Sequence, residues 1–290
     1  MRVALLGLGL IGGSVARALR RSGWADAGDW SIAAWSPSGD GPRAAAEEGV
    51  IDLAAATPEL AIDGADLVVL AGPADECLAQ LDDLAGPWRP ALGADAVITD
   101  VASTKQAIVL RATALGVRFV GGHPMAGRDT SGYAASSPDL FVDRPWVVVP
   151  TTDDAAVARV EVLAAATGAR PQRMSAAAHD EAVAAISHLP LVASVALVEA
   201  VTGRDQGSVE DAARLAGSGW RDTTRLARGD ALMGSGILTT NAPAVAAGVR
   251  DLIATLESWL VELERPGGPE PTEVTDRLRA ARDRLESMAR

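Results

Sequence analysis

Cysteine is nearly missing from this chain, with Cys77 alone in 290 residues. An intramolecular disulfide is therefore excluded, and a reducing compartment is the expected setting. Positive charge is also short. A formal net charge of −12 argues against nucleic acid or an anionic membrane as the main partner, since neither attracts an acidic surface. Lysine occurs once, as Lys105, and histidine three times, as His123, His179 and His188. No apolar run is expected to reach the ~18 residues a membrane-spanning helix needs. The apolar start MRVALLGLGLIGGSVARAL is broken by Gly7, Gly9, Gly12 and Gly13 and lacks a small-residue cleavage pattern, so no leader is expected. These shortages together predict a cytoplasmic protein.

The remaining composition is that of an ordinary globular chain, 48 % hydrophobic and 22 % charged. Its length suffices for two domains, because single cores tend to split near ~250–300 residues.

The first motif opens the chain. RVALL (2–6) reads as a strand, GLGLIGGS as a turn, and VARALRRSG as a helix. Gly7, Gly9 and Gly12 fit G-x-G-x-x-G, which gives a tight turn, close backbone approach to a pyrophosphate, and close helix–strand packing. Leu8, Leu10 and Ile11 complete the predicted dinucleotide-binding turn, with free N–H groups at the helix start facing the phosphates. SIAAW (31–35) is the second strand. An NAD-specific site usually carries an acidic residue at its end for the ribose hydroxyls. Here Ser36-Pro37-Ser38 stand there, Asp40 is displaced into the loop, and Arg43 follows. Ser36, Ser38 and Arg43 could hold a 2′-phosphate, so NADP is favoured over NAD.

Further strands are expected at 67–70, 96–99, 117–122 and 145–150, with a helix at 153–167 and a last short strand near ARPQRM. Strands alternating with helices indicate a doubly wound, mostly parallel α/β sheet. Its carboxyl edge, where such sheets bind ligands, would carry the glycine turn, Ala71-Gly72-Pro73, the Asp100–Lys105 turn and His123. His123 lies in GGHPMAGRDTSG (121–132), at the expected junction of a strand and a Gly-rich loop, a good place for proton transfer. After about residue 174 strand signals stop. The expected division is 1–174 for dinucleotide binding and 175–290 for an all-helical part. The stretch 182–201 is too apolar for a one-sided surface helix, with a kink expected before Pro190, and suggests burial at a homodimer interface. RPGGPEPT (265–272) reads as a linker before a polar helix.

In order, GLGLIGGS (7–14), ITDVASTK (98–105), FVGGHPMAGRDTSG (119–132), HDEAVAAISHLP (179–190) and GWRDTTRLARGD (219–230) make the chain resemble the prephenate/arogenate dehydrogenase family of tyrosine biosynthesis. The resemblance implies a Rossmann-type N-terminal domain, a helical dimerisation domain, and oxidative decarboxylation of prephenate or arogenate with NAD(P)+. By the GGHP match, His123 would be the base that accepts the proton of the ring hydroxyl. Ser103 matches the serine that bonds the same hydroxyl, and Arg225 the carboxylate-binding arginine. Arg221 lies four residues before it, so one helix would point both the same way. Asp129 and Asp222 match acidic positions that form an ionic network with that arginine. His188 is a candidate for the substrate pocket, whereas His179, beside Asp180 at a helix start, reads as a structural cap. Lys105 reads as a cation on a helix face. Relatives often carry a second histidine where this chain has Leu191, which leaves prephenate and arogenate both open.

Two other readings are weaker. A β-hydroxyacid dehydrogenase would need a lysine on the long helix, and residues 175–201 hold none. A non-catalytic dinucleotide sensor would have no use for His123, Ser103 and Arg225 together.

Overall fold

The computed structural model describes residues 1–22, 31–128 and 130–288. Six parallel strands form the main sheet: β1 (Arg2–Leu6), β2 (Ser31–Trp35), β3 (Leu53–Ala54), β4 (Leu67–Leu70), β5 (Val97–Asp100) and β6 (Phe119–Val120). Their order is β3-β2-β1-β4-β5-β6. Alternate residues of β1 enter opposite cores. Val3 and Leu5 pack with Val15 and Leu19, while Ala4 and Leu6 pack with Leu81 and Ile98. Both faces are thus covered, which is why these strands read as unbroken apolar runs rather than alternating ones. The helices α1 (Leu10–Arg21), α2 (Asp40–Glu47), α3 (Pro58–Ile62), α4 (Ala74–Ala85) and α5 (Gln106–Leu115) connect them. The winding reverses between β1 and β4, the switch point where such sheets open a crevice for a ligand.

Two strand expectations need correction. VRFVGG does not run as one strand, and PWVVVP does not join the main sheet. The chain leaves β6 at Gly121 and starts a second, three-stranded sheet of β7 (Gly122–Pro124), β8 (Pro145–Val148) and β9 (Arg170–Arg173). β7 is antiparallel to β8, and β9 is parallel to it. Close approach dictates the crossing. A Cβ on Gly122 would lie 2.6 Å from the Asp100 carbonyl oxygen, so only glycine passes there. His123 consequently sits inside a strand, opposite Val147, and not at the start of a loop. Helix α6 (Asp154–Ala166) leads back to β9.

Beyond Arg173 the described residues contain no strand. Helix α7 (Ala176–Val183) passes through a π-helical turn, Ala184–His188, into α8 (Leu189–Thr202). The expected kink takes this form because Pro190 has no N–H and its ring crowds the carbonyl four residues back, so the narrower α ladder cannot continue. The stretch Ala176–Thr202 is, contrary to expectation, long and apolar enough to cross a membrane by length and composition, and only 22 % of its most apolar window is buried. It also holds buried His179, Asp180 and His188, which suit a protein interior better than lipid. There follow α9 (Gln206–Leu215), α10 (Ser218–Thr223), a 3₁₀ turn (Arg225–Arg228), α11 (Ala231–Thr240), α12 (Ala242–Leu263) and α13 (Pro271–Met288). By compactness the chain divides into residues 1–244 and 245–290.

Candidate active site

The three motif glycines meet three different surroundings. Gly7 has φ +104°, and a Cβ there would lie 2.8 Å from the Ala71 carbonyl. Its N–H donates to Trp35 O at 2.8 Å, which ties the turn to β2. A side chain on Gly12 would come 2.1 Å from Gly7 O, so α1 packs against the turn only because residue 12 is glycine. Gly9 faces open space, with nothing within 4 Å of an added Cβ. Helix α1 then starts at Leu10 with no side-chain cap and no acidic residue in its first turn. Leu10 and Ile11 therefore offer backbone N–H groups that the helix itself cannot satisfy. Leu8 is buried beneath them, and Ala71-Gly72-Pro73 follows β4 alongside. An open glycine backed by uncapped N–H groups fits the pyrophosphate of a dinucleotide.

At the end of β2, Gly39 N–H donates to Ser36 O at 3.0 Å and closes the turn. Ser38 Oγ accepts the Asp40 N–H at 3.3 Å. Arg43 is already engaged: its guanidinium pairs with Asp40 at 2.5 Å, with both side chains exposed.

Beneath the Asp100–Lys105 turn lies a buried ion pair. Lys105 Nζ and Asp100 Oδ2 are in contact, both fully buried. Asp100 also accepts the N–H of Gly122 at 3.0 Å and of Ala102 at 3.1 Å. Burial pushes the Asp100 carboxyl above its usual range, opposed by Lys105 and the two backbone N–H groups, and three donors with no acceptor around one carboxylate suit its ionised form. The expectation of a helix-face cation at Lys105 is therefore wrong. The lysine is folded inward, where its charge is affordable only because Asp100 neutralises it. Through Gly122 this pair anchors the strand that carries His123, while half-buried Ser103 rides on the turn above. Cys77 is inert by comparison, since burial pushes its thiol far above the usual range.

His123 is buried, and its Nδ1 lies 2.7 Å from His179 Nε2. His179 Nδ1 lies in turn 2.7 Å from Asp180 Oδ1. The carboxylate of Asp180 also accepts the N–H groups of Lys105 and Gln106, each at 2.8 Å. His179 is thus no cap, correcting the reading from sequence. Ser175 caps α7, and Asp180 caps the start of α5 from a distant part of the chain. Burial lowers the His123 pKa well below 6.5, and His179, Lys105 and His188 nearby lower it further. Burial opposes the charge on Asp180, but His179 and the two backbone N–H groups outweigh it and hold the carboxyl below its usual range. A neutral imidazole in this setting is equipped to accept a proton at neutral pH.

Residues 15–172 match the family described as "Prephenate dehydrogenase, nucleotide-binding domain", and residues 175–270 that described as "Prephenate dehydrogenase, dimerization domain". The chain belongs to the prephenate dehydrogenase family. It is 32 % identical to the prephenate dehydrogenase of Bacillus subtilis, over 91 % of this chain and 68 % of that one. The crystal structure of Synechocystis arogenate dehydrogenase superposes with a TM-score of 0.79 at 33 % identity, covering 98 % of this chain and 100 % of that one. Prephenate dehydrogenase from A. aeolicus, in complex with hydroxyphenyl propionate and NAD+, gives a TM-score of 0.86 at 27 % identity, with 98 % of each chain covered. Like its relatives, this prephenate dehydrogenase family member is an NAD(P)-dependent oxidoreductase.

The arginine-bearing segment is placed differently from the histidines. Arg221 and Asp222 are exposed on α10, and that helix ends at Thr223. Arg225 opens the following 3₁₀ turn, so the two arginines do not share a helical face as the sequence spacing suggested. The turn is tied to α8, because Ala227 N–H donates to buried Ser194 Oγ at 3.1 Å. Asp129 lies outside the described residues. Three contributors escaped the sequence reading. Asp180 appeared there only as a neighbour of His179, Asp100 only as the first residue of a turn, and Asn241 not at all. Asn241 Nδ2 donates to Asp180 O at 2.8 Å and lies 3.2 Å from His188 Nδ1. The one available signal for it was rarity, since Asn241 is the only asparagine in the chain.

Proposed function

We propose that this protein catalyses the oxidative decarboxylation of prephenate to 4-hydroxyphenylpyruvate with NAD(P)+. The observation that carries the reading is a buried, pKa-lowered His123 hydrogen-bonded to His179 in a chain whose glycine turn is open at Gly9. A dinucleotide held by its pyrophosphate at the Gly7–Gly12 turn would supply the acceptor for the hydride of the ring carbon that bears the hydroxyl. His123 takes the hydroxyl proton as the hydride leaves, and Ser103 bonds the same oxygen. Loss of the ring carboxylate as CO2 then makes the ring aromatic, and the proton returns from His123 to the phenolic oxygen. A positioned base of this kind contributes ~10²–10⁴ in rate. Arg225 binds a substrate carboxylate, with Arg221 on the preceding α10 as a second cation and Asp222 and Asp129 balancing their charge. His188 faces the side chain of the substrate. The division of labour follows 1–174 for the dinucleotide and 175–290 for substrate and dimerisation.

The cofactor is NADP in preference to NAD. No carboxylate stands at the end of β2 to repel a 2′-phosphate, and Ser36 and Ser38 supply donors there. The Arg43–Asp40 pair is exposed, and such pairs contribute only ~0–1 kcal/mol, so the guanidinium can turn to a phosphate at small cost. The protein acts in the cytoplasm as a homodimer. In support, Ile186 is 59 %, Leu215 85 % and Leu232 77 % exposed in the single chain, within the residues matched to the dimerization domain.

The test is a steady-state assay of prephenate and arogenate, each with NAD+ and NADP+, following the reduced nicotinamide. Prephenate with NADP+ is expected to give the highest kcat/KM. Leu191 cannot form the hydrogen bond that a histidine there would offer, so arogenate turnover is the second reading the assay decides. Absence of turnover with all four pairs overturns the proposal.

A further inference from the structure

Asp180 touches the histidine cluster through two chemically different groups. Its carboxylate meets His179, and its backbone carbonyl meets Asn241. Both groups can only accept, and that fixes where the protons must be.

On the first branch, His179 Nδ1 must carry the hydrogen that the carboxylate accepts. In a neutral ring the other nitrogen, Nε2, is then bare and can only accept. Its neighbour at 2.7 Å, His123 Nδ1, must therefore be the donor. The hydrogen of His123 is committed to Nδ1, and its Nε2 carries a free lone pair. On the second branch, the Asn241 atom facing the Asp180 carbonyl must be the NH2 group, which settles the orientation of the amide. The second hydrogen of that group points to His188 Nδ1, 3.2 Å away, which then accepts. The hydrogen of His188 is left on Nε2. The π turn helps to bring this about. In an unbroken α-helix His188 would stand roughly 80° around from Asp180, and the wider turn at Ala184–His188 takes back part of that rotation.

We propose that Asp180, through His179 on one side and Asn241 on the other, locks His123 and His188 in opposite tautomers, so that His123 presents a bare Nε2 and His188 an Nε2–H. His179, Asp180 and Asn241 are positioning residues, and all three are nearly fully buried. The consequence for catalysis rests on the function proposed above. His123 Nε2 receives the hydroxyl proton, and the positive charge that develops on the ring is met at Nδ1 by His179 with the Asp180 carboxylate behind it. His188 Nε2–H can donate to an oxygen of the substrate but cannot compete for its proton. The buried Lys105 ammonium is neutralised by Asp100, and the residue joins the network only through its backbone N–H, which donates to Asp180 Oδ1.

All of the chain's histidines belong to this cluster, so one spectrum reads the arrangement. The full-length protein is labelled with 15N-histidine, and long-range 1H–15N NMR is recorded without ligand at pH 8. The signals are assigned from single histidine substitutions. The expected result is two Nδ1–H rings, His123 and His179, and one Nε2–H ring, His188. Asn241→Leu should release His188 into a tautomer mixture and leave His123 unchanged. His179→Leu should release His123 and lower kcat roughly 10²-fold, below the ~10⁴ that a wrong tautomer costs a serine-protease triad. His179→Gln, whose carbonyl oxygen can still accept from Nδ1, should recover part of that loss at unchanged substrate KM. Nε2–H on His123 in the unsubstituted protein, or doubly protonated His179 at pH 8, overturns the proposal. The expected tautomers together with no turnover of either substrate would leave the tautomer assignment standing and overturn the proposed function instead.

Discussion

The histidine cluster and the arginine segment are both assigned to the substrate, yet they are built in opposite ways. His123, His179 and Asp180 are buried and hydrogen-bonded in series across β7 and α7, and Asn241 links Asp180 to buried His188 on the π turn. Arg221, Asp222 and Arg225 lie exposed on a short helix and a 3₁₀ turn, held to α8 through Ser194. Under the proposed function, the difference follows from what each group would do. Proton transfer needs a tuned pKa and a fixed orientation, which burial and a hydrogen-bond chain provide. Anion binding needs a charge that a ligand can reach from solvent, which an exposed helix and turn provide.

Removing the proposed base is the hardest way to strike the buried side. His123→Asn should lower kcat by ~10²–10⁴ with the fold intact, judged by circular dichroism. Retention of full activity would mean that another group takes the proton. The burial of the cluster also sets its pH response. Because the His123 pKa is lowered from 6.5, activity should be flat above pH 7 and fall only as pH drops through a midpoint below 6.5. The same sign holds for stability. His123 and His188 resist protonation when folded and accept it when unfolded, so stability is full above pH 6.5 and declines as pH falls below it. A kinetic midpoint at or above 6.5 would show that the histidine in control is not buried as described.

The anchor beneath the cluster is the next target. Lys105→Met leaves the Asp100 carboxylate buried without its counter-charge, and should destabilise the protein by about 3–5 kcal/mol in urea unfolding. Lys105→Met combined with Asp100→Asn should recover much of that, since no lone charge remains. Equal loss in the single and double variants would refute the ion pair.

What could be read in the sequence divides along the same line. The glycine turn, β1, β2 and β4 and the helical second half were legible because each rests on local chemistry, namely positive φ at Gly7, unbroken apolar runs, and missing strand signals. His123 was legible through its motif. The partners of His123 were not. Asp180 reaches it through His179, and caps α5 across some 75 residues of chain, a link that local pattern cannot reveal. The departure of the chain from the main sheet at Gly121 was missed for a similar reason. VRFVGG has the apolar pattern of one strand, and the constraint that divides it is the approach of Gly122 to Asp100. The shared face of Arg221 and Arg225 failed because a spacing of four assumes a continuous helix, and α10 stops at Thr223.

On the exposed side the expected losses are smaller and fall on binding. Arg225→Ala removes a charge-assisted hydrogen bond worth ~1.5–3 kcal/mol, so KM for prephenate should rise about ten- to a hundredfold with kcat less affected. An unchanged KM would take Arg225 out of the site.

The smallest effect is expected at Arg43, where the exposed logic applies to the cofactor. Its guanidinium rests on Asp40 in solvent, an arrangement that costs little to open. Arg43→Ala should therefore raise KM for NADP+ several-fold and leave KM for NAD+ unchanged, because only the former carries the 2′-phosphate. Asp40→Asn should act in the opposite direction, freeing the arginine and removing a negative charge from the same turn. If both variants alter the two cofactors equally, the turn after β2 is only a surface ion pair, and the preference must come from Ser36 and Ser38.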